Sequence, residues 1–176
     1  MSKVVHVVGT GTIGEPLIGL LANYSDAFGI DEVTFHKRTP LIEERSKVRD
    51  LVRRGAVLAV DEDRYSSFEE LGHTPKYEAR QAIERATVVI DCTPAGIANK
   101  EDMYEQARGP LGFLAQGSEF GFGKMYARGI NDEALIHGDD RFIHVVSCNT
   151  HNISVLVKTL AMDSGTAHLV NGRFLC

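Results

Sequence analysis

Cys148 is the residue of this sequence whose surroundings do most to favour chemistry. It lies in Val145-Val146-Ser147-Cys148-Asn149-Thr150. Just before it, Phe142-Ile143-His144-Val145-Val146 is a short apolar run rich in β-branched residues, which predicts a buried strand. Just after it, Ile153, Leu156, Val157 and Leu160 fall at the i, i+3, i+4, i+7 spacing of one helix face. Cys148 thus falls where a strand gives way to a helix. Unpaired backbone N–H groups and the positive end of a helix dipole favour a thiolate at such a place. A free thiol ionises near about 8.5 and helix N-termini can bring this to roughly 3.5–7.5, which turns cysteine into a nucleophile at neutral pH. The competing reading is a buried structural thiol, since free Cys is among the most buried residue types.

A second stretch, Gly9-Thr10-Gly11-Thr12-Ile13-Gly14, matches the Gly-x-Gly-x-x-Gly pattern. Alone it is weak, but here a Val-rich strand (Val4-Val5-His6-Val7-Val8) precedes it and helix periodicity (Ile13, Leu17, Leu20, Leu21) follows. In that context Gly9 permits the tight turn, Gly11 lets a pyrophosphate approach the backbone, and Gly14 lets the helix pack on the strand. The helix N-terminus then receives the phosphates. The next strand, Glu32-Val33-Thr34-Phe35-His36, ends in Lys37-Arg38-Thr39-Pro40 with no carboxylate. NAD-preferring sites place Asp or Glu there to hold the ribose 2′-OH. Two cations and a hydroxyl suit a 2′-phosphate instead, so NADP is expected as the preferred cofactor, with NAD also accepted.

These groups need elements to hold them. The pattern predicts an amphipathic helix over 43–54 with Val48, Leu51 and Val52 inward, a strand over 55–60 and a short helix over 77–85. Ala86-Thr87-Val88-Val89-Ile90 reads as a buried strand ending in Asp91-Cys92-Thr93-Pro94-Ala95-Gly96, where Thr93, Pro94 and Gly96 are placed to pack on the ribose and nicotinamide half. Cys92, just inside that turn, reads as core packing. A helix is expected over 103–107, and a strand over 111–115 that ends in Gln116-Gly117-Ser118-Glu119. Gly121 and Gly123 mark a loop, and Asn131-Asp132 a turn. His73 reads as a loop histidine. Several strands thus end in small or polar residues at one edge of the sheet, which is where a ligand crevice forms.

The predicted fold is α/β, a Rossmann-type doubly wound, mostly parallel sheet over 1–147, with the beginning of a second, catalytic domain over 148–176. Residues 166–176 read as a terminal strand that leaves its edge unpaired, and the chain is expected to be cut just after entering that second domain. Composition is that of a globular protein: 176 residues, 43% hydrophobic and 24% charged. A net charge of −5 argues against nucleic acid or a membrane surface as partner. The three cysteines have no zinc spacing, so no metal is expected. With no signal peptide or long apolar run, the expected compartment is the cytoplasm.

Taken in order, the glycine loop, Lys37-Arg38-Thr39-Pro40, the Asp91–Gly96 turn, the Gln116–Glu119 turn and Val145–Thr150 resemble the archaeal-type (type II) glyceraldehyde-3-phosphate dehydrogenases. The resemblance covers that family's nucleotide-binding half and the first helix and strand of its catalytic half. It implies that Cys148 is the nucleophile, that Ser147, Cys148 and Asn149 touch substrate, and that Thr12 and Ile13 contact the cofactor pyrophosphate. Gly117 and Ser118 fall in the turn that contacts the nicotinamide half, with Ser118 standing where the family has its second glycine. It further implies a homotetramer using NADP and often NAD. The substrates would be a triose phosphate, D-glyceraldehyde 3-phosphate, and inorganic phosphate, and the product 1,3-bisphosphoglycerate, formed through a thiohemiacetal and a thioester. The family's general-base histidine and phosphate-binding residues lie beyond residue 176, so this chain alone is expected to bind NADP and turn over little. His144, inside a strand, and His151, in a helix's first turn, are poor substitutes. Two alternatives are a related semialdehyde dehydrogenase and a non-catalytic NADP-binding or redox-sensing module.

Overall fold

The structure, a computed structural model, describes residues 2–117, 119–163, 166–167 and 171–175. The chain opens with strand β1 (Val4–Val8), helix α1 (Gly14–Asn23), the single turn α2 (Ser25–Phe28) and β2 (Glu32–His36). Then come α3 (Arg45–Arg53), β3 (Val57–Val60), α4 (Tyr65–Glu70), the two-residue β4 (Tyr77–Glu78), α5 (Ala79–Arg85) and β5 (Val88–Asp91). The second half holds α6 (Gly96–Asn99), which runs on as a wider turn over Lys100–Tyr104, and β6 (Gly112–Gly117). It closes with β7 (Lys124–Tyr126), β8 (Phe142–Val146), α7 (Cys148–Ala161) and a small antiparallel ribbon of β9 (Met162–Asp163) and β10 (Thr166–Ala167).

The first eight strands form one sheet in the order β4-β3-β2-β1-β5-β6-β8-β7. Every neighbouring pair in it is parallel. The chain winds outward from β1 through β2, then returns to start again at β5, so the strand order reverses between β1 and β5. In register, Val8 sits opposite both His36 and Asp91, Asp91 opposite Ala115, and Gly117 opposite Val146. The carboxyl ends of all these strands therefore line one edge.

Apolar residues alternate between two cores, as strands buried on both faces require. Val7, Val33, Phe35, Leu58 and Val60 pack with Ile18 of α1, Val48 and Leu51 of α3 and Phe68 of α4. Val8, Val89, Phe113 and Ala115 face the other way, against Ile83 of α5, Tyr104 and Phe122. Tyr104 stacks on Phe113 at 4.9 Å between ring centres, and Phe113 on Phe142 at 5.0 Å. The first face is less covered beyond β1. There Leu114 and Ile143 line a cavity of about 530 Å³ with Val88, Leu111, Leu135 and Ile136. Val88 and Gly112 begin their strands, so this cavity lies toward the amino ends, away from the edge just described.

Four expectations are corrected. In α1 the buried face is Gly14, Ile18 and Gly19, with Leu17 and Leu21 beside it, whereas Ile13 and Leu20 are exposed. The helix begins at Gly14 against the β1 turn, and that start, rather than the count of apolar residues, fixes its rotation. Val52 of α3 likewise faces solvent. The helix expected over 103–107 instead spans 96–104, because the Thr93-Pro94 turn leads straight into it. Of the expected terminal strand only Thr166–Ala167 is paired; 171–175 are irregular, while 168–170 and 176 lie outside the described residues. The loop expected around Gly121 and Gly123 is present and leads into an edge strand, β7.

His6, in the middle of β1, is fully buried with Nδ1 2.7 Å from Thr34 Oγ1. Burial, and secondarily the neighbouring His36, lower its pKa from 6.5 to about 3. The native state therefore keeps the ring neutral while the unfolded chain protonates it. Stability is full above the unfolded value and falls as pH drops from 6.5 toward 3, at about 1.4 kcal/mol per pH unit for one proton. Urea melts at pH 7 and pH 5 should differ by about 2 kcal/mol more in the parent than in His6→Gln. Equal pH slopes in the two proteins would contradict this.

Candidate active site

The glycine loop leaves β1 and turns at once into α1. Gly9 has φ +94°, and a Cβ there would meet Thr93 Cγ2 at 2.8 Å. A Cβ on Gly14 would lie 2.1 Å from the carbonyl oxygen of Gly9, so helix and loop are in backbone contact. Gly11 is the opposite case, exposed and with nothing within 4 Å of a Cβ. Thr12 and Ile13 are exposed beside it. The loop is thus closed beneath and open above, the shape a pyrophosphate requires.

The cations after β2 are not equivalent. Lys37 is buried, and its Nζ stands 2.5 Å from Glu44 Oε2. Glu44 is shared with Lys47, at 3.0 Å, and Lys47 also reaches Glu15 in the first turn of α1 at 3.2 Å. The hydrogen bond from Lys37 is the main reason the Glu44 carboxyl is held below the usual carboxylate range. Lys37 is therefore tied to the turn before α3, which Lys47 in turn links to α1, and Arg38 and Thr39 are left exposed. Arg38 separates two hollows. One, about 220 Å³, is lined by Val8, Gly9, His36, Thr93, Pro94 and Ala95. The other, about 270 Å³, is lined by Thr39, Pro40, Asp61, Asp63 and Arg64.

A polar cluster that sequence reasoning missed holds the Thr93 turn. Asp91 is buried at the end of β5. Its Oδ1 accepts from the Thr93 backbone N–H at 2.7 Å and the Thr93 hydroxyl at 2.6 Å. Its Oδ2 accepts from the Asn99 amide at 2.8 Å and the Tyr104 hydroxyl at 2.6 Å. Burial and the adjoining Asp91 push the Tyr104 phenol up, so it stays a donor. The Asp-x-Thr spacing of an Asx turn was the one available signal for this. Gly96 is buried against the Glu119 carboxyl, which accepts from the Ile97 N–H at 3.2 Å and joins the β5 and β6 turns.

On the far side, Gly117 closes β6 with φ +86°; Ser118 lies outside the described residues. One strand further, Ser147 caps α7: its Oγ accepts from the Thr150 N–H at 3.2 Å, and its carbonyl accepts from the His151 N–H at 2.9 Å. Cys148 is the first residue of the helix and is exposed, as is Asn149. The buried-thiol reading is thereby excluded for Cys148. It fits Cys92 better, which is half-buried and whose thiol burial, with Asp91 beside it, pushes up to about 12. Neither histidine near Cys148 is turned to it as a base would be. His144 is buried with Nε2 2.9 Å from the Gly117 carbonyl, and His151 Nε2 is 3.0 Å from that of Arg128.

The residues expected from sequence thus share one edge, Gly9 to Gly14 after β1, Arg38 and Thr39 after β2, Thr93 and Pro94 after β5 and Cys148 after β8. Cys148 is three strands from β1, or about 14 Å at the usual strand spacing.

An all-parallel sheet with helices on both faces, carrying a glycine loop where the strand order reverses, is a Rossmann-like α/β fold of the kind found in dehydrogenase nucleotide-binding domains. The chain is, over most of its length, similar to archaeal glyceraldehyde-3-phosphate dehydrogenases. It is 34% identical over 155 residues to the enzyme of Methanobacterium bryantii, covering 84% of this chain and 42% of that protein. It is 27% identical over 165 residues to that of Pyrobaculum islandicum, covering 90% of this chain and 44% of that one. With the enzyme of Methanococcoides burtonii the match is 29% over 175 residues, 94% of this chain and 47% of the other. The chain thus spans a little under half the length of these curated relatives. No protein-family model matches it. The resemblance drawn from the five motifs is borne out by these relatives.

Proposed function

We propose that this chain is the nucleotide-binding part, with the nucleophile-bearing start of the catalytic part at 148–176, of a phosphorylating glyceraldehyde-3-phosphate dehydrogenase. The observation that carries this reading is the placement of Cys148, exposed at the first turn of α7, on the same sheet edge as the open glycine loop. The residues fit a nicotinamide dinucleotide: Gly9, Gly11, Thr12, Ile13 and Gly14 would take its pyrophosphate, and Thr93, Pro94 and Gly117 would border its nicotinamide half. Arg38 and Thr39 would receive a 2′-phosphate, so NADP is preferred and NAD accepted. When bound, the nicotinamide accepts a hydride.

Cys148 Sγ attacks the aldehyde carbon of D-glyceraldehyde 3-phosphate, forming a C–S bond and a thiohemiacetal. The helix N–H groups around Asn149 steady the oxyanion, as donors fixed at a helix start do. Loss of the hydride from that carbon leaves a thioester on Cys148. Phosphate then adds to the thioester carbonyl, the C–S bond breaks, and the sulfur leaves as thiolate with 1,3-bisphosphoglycerate released. Rapid turnover needs a base for the thiohemiacetal proton. With His144 and His151 turned to main-chain carbonyls, this chain alone should bind NADP and turn over little.

The test is to mix the chain with NADP and D-glyceraldehyde 3-phosphate without inorganic phosphate and locate any acyl adduct by peptide mass. An adduct on Cys148, absent in Cys148→Ser, is expected. Bound NADP with no adduct on Cys148 would overturn the nucleophile assignment, and an adduct only with aspartate semialdehyde would overturn the substrate.

A further inference from the structure

NAD-type sites hold the adenosine ribose 2′-OH with a carboxylate at the end of the second strand, and β2 ends here without one. The structure brings a carboxylate to the same place from the next strand. His36 pairs in register with Ala59, so Asp61, two residues on from Ala59, comes out of β3 beside Lys37 and Arg38. Asp61 Oδ1 stands 3.1 Å from His36 Nε2, while its side chain remains 38% exposed. It lines the hollow that Arg38, Thr39 and Arg64 also line. Its neighbours keep it ionised: His36 first, then the charges of Arg38 and Arg64, hold the carboxyl below the usual range. The other acid of the hollow, Asp63, is paired with Arg64 at 3.3 Å. Lys37, the other cation at the end of β2, is held by Glu44.

We infer that Asp61 is the residue that lets this site accept NAD, by offering its carboxylate to the adenosine ribose 2′-OH, while Arg38, which lines the same hollow, receives the 2′-phosphate of NADP. The inference rests on the nicotinamide-dinucleotide reading above. One hollow then carries both an acceptor for a hydroxyl and a guanidinium for a phosphate, and the two cofactors call on different side chains. Asp61 is also a carboxylate that a 2′-phosphate must approach. Its removal therefore weakens NAD and relieves NADP, and both effects move the preference in one direction.

The test is calorimetric titration of the chain with NAD and with NADP. Asp61→Asn should weaken NAD about tenfold, the effect of one hydrogen bond to a charged group, and leave NADP unchanged or tighter. Arg38→Ala should do the reverse. A probe that needs no variant is 2′-deoxy-NAD, with the adenosine 2′-OH removed. It should bind the parent chain about tenfold more weakly than NAD, and Asp61→Ala, which has no acceptor left, should bind the two alike. If Asp61→Asn changes NAD and NADP by the same factor, or 2′-deoxy-NAD binds the parent as well as NAD does, Asp61 is not the selecting residue. If the parent binds neither NAD nor NADP, the nucleotide reading itself fails and takes this inference with it.

Discussion

Gly14→Ala destabilises the fold severely and Gly11→Ala leaves it intact, although the two residues belong to one short motif and the substitution is the same. At Gly14 the new methyl would sit 2.1 Å from the Gly9 carbonyl oxygen and 2.9 Å from its carbon, both backbone atoms of the turn out of β1. Neither can rotate away. Relief requires moving α1 off the sheet, which strips Ile18 from the core it shares with Val7 and Phe35. Overpacking usually costs about 1–3 kcal/mol, and contact of backbone on both sides places this one at about 3 kcal/mol or more. At Gly11 nothing lies within 4 Å of the methyl, so stability should change by about 0.5 kcal/mol or less. The methyl would instead occupy the space in which a pyrophosphate meets the backbone, and NADP affinity should fall at least about tenfold. Thermal melts and NADP titration of both variants separate the two roles. A Gly14→Ala chain as stable as the parent would mean that the close packing of loop on helix is wrong, and a Gly11→Ala chain with parental affinity would move the pyrophosphate elsewhere.

The second large effect is at Asp91. Truncation to Ala removes the shared acceptor of Thr93, Asn99 and Tyr104 and leaves a buried amide and a buried hydroxyl without it. Unsatisfied buried groups cost about 1–3 kcal/mol each, so a loss of about 3–5 kcal/mol is expected. For a chain of this size that lowers Tm by roughly 8–15 °C. Tyr104→Phe removes one donor, leaves the acid with three others and keeps the ring stacked on Phe113, so it should cost only about 1 kcal/mol. The Thr93 turn borders the hollow beside Gly9, so with the nucleotide placed as proposed Asp91→Ala should also weaken NADP where Tyr104→Phe does not. Equal melting temperatures for Asp91→Ala and Tyr104→Phe would show that the carboxyl is not the centre of the cluster.

These two sites mark the limit of what the sequence makes legible. The strands β1, β2 and β8 could be bounded to the residue, because each is a short β-branched or aromatic stretch bracketed by polar turns. The glycine loop and the strand-to-helix junction at Cys148 were legible for the same reason, since each is set by neighbours within a few positions. What the sequence hides is pairing across the fold. Lys37 reads as a ligand cation until the turn before α3 brings Glu44 to 2.5 Å from it. Asp61 shows no partner in the sequence until β3 lies beside β2 and brings it to His36. Asp91 looks like a polar strand end until Tyr104, thirteen positions on, turns its hydroxyl inward. The edge strand β7 has too few residues and too many polar ones to show a period of two. No helix among the described residues is long and apolar enough to cross a membrane.

The central claim is that a reactive Cys148 and a nucleotide site occupy one edge of this sheet. Iodoacetamide labelling, read peptide by peptide with and without NADP, tests it most directly. Cys148 should label readily, Cys92 slowly, and NADP should alter the Cys148 rate several-fold while leaving Cys92 as it was. Labelling of Cys148 at a rate indifferent to saturating NADP would contradict the account, for the sulfur and the cofactor would then not share a crevice.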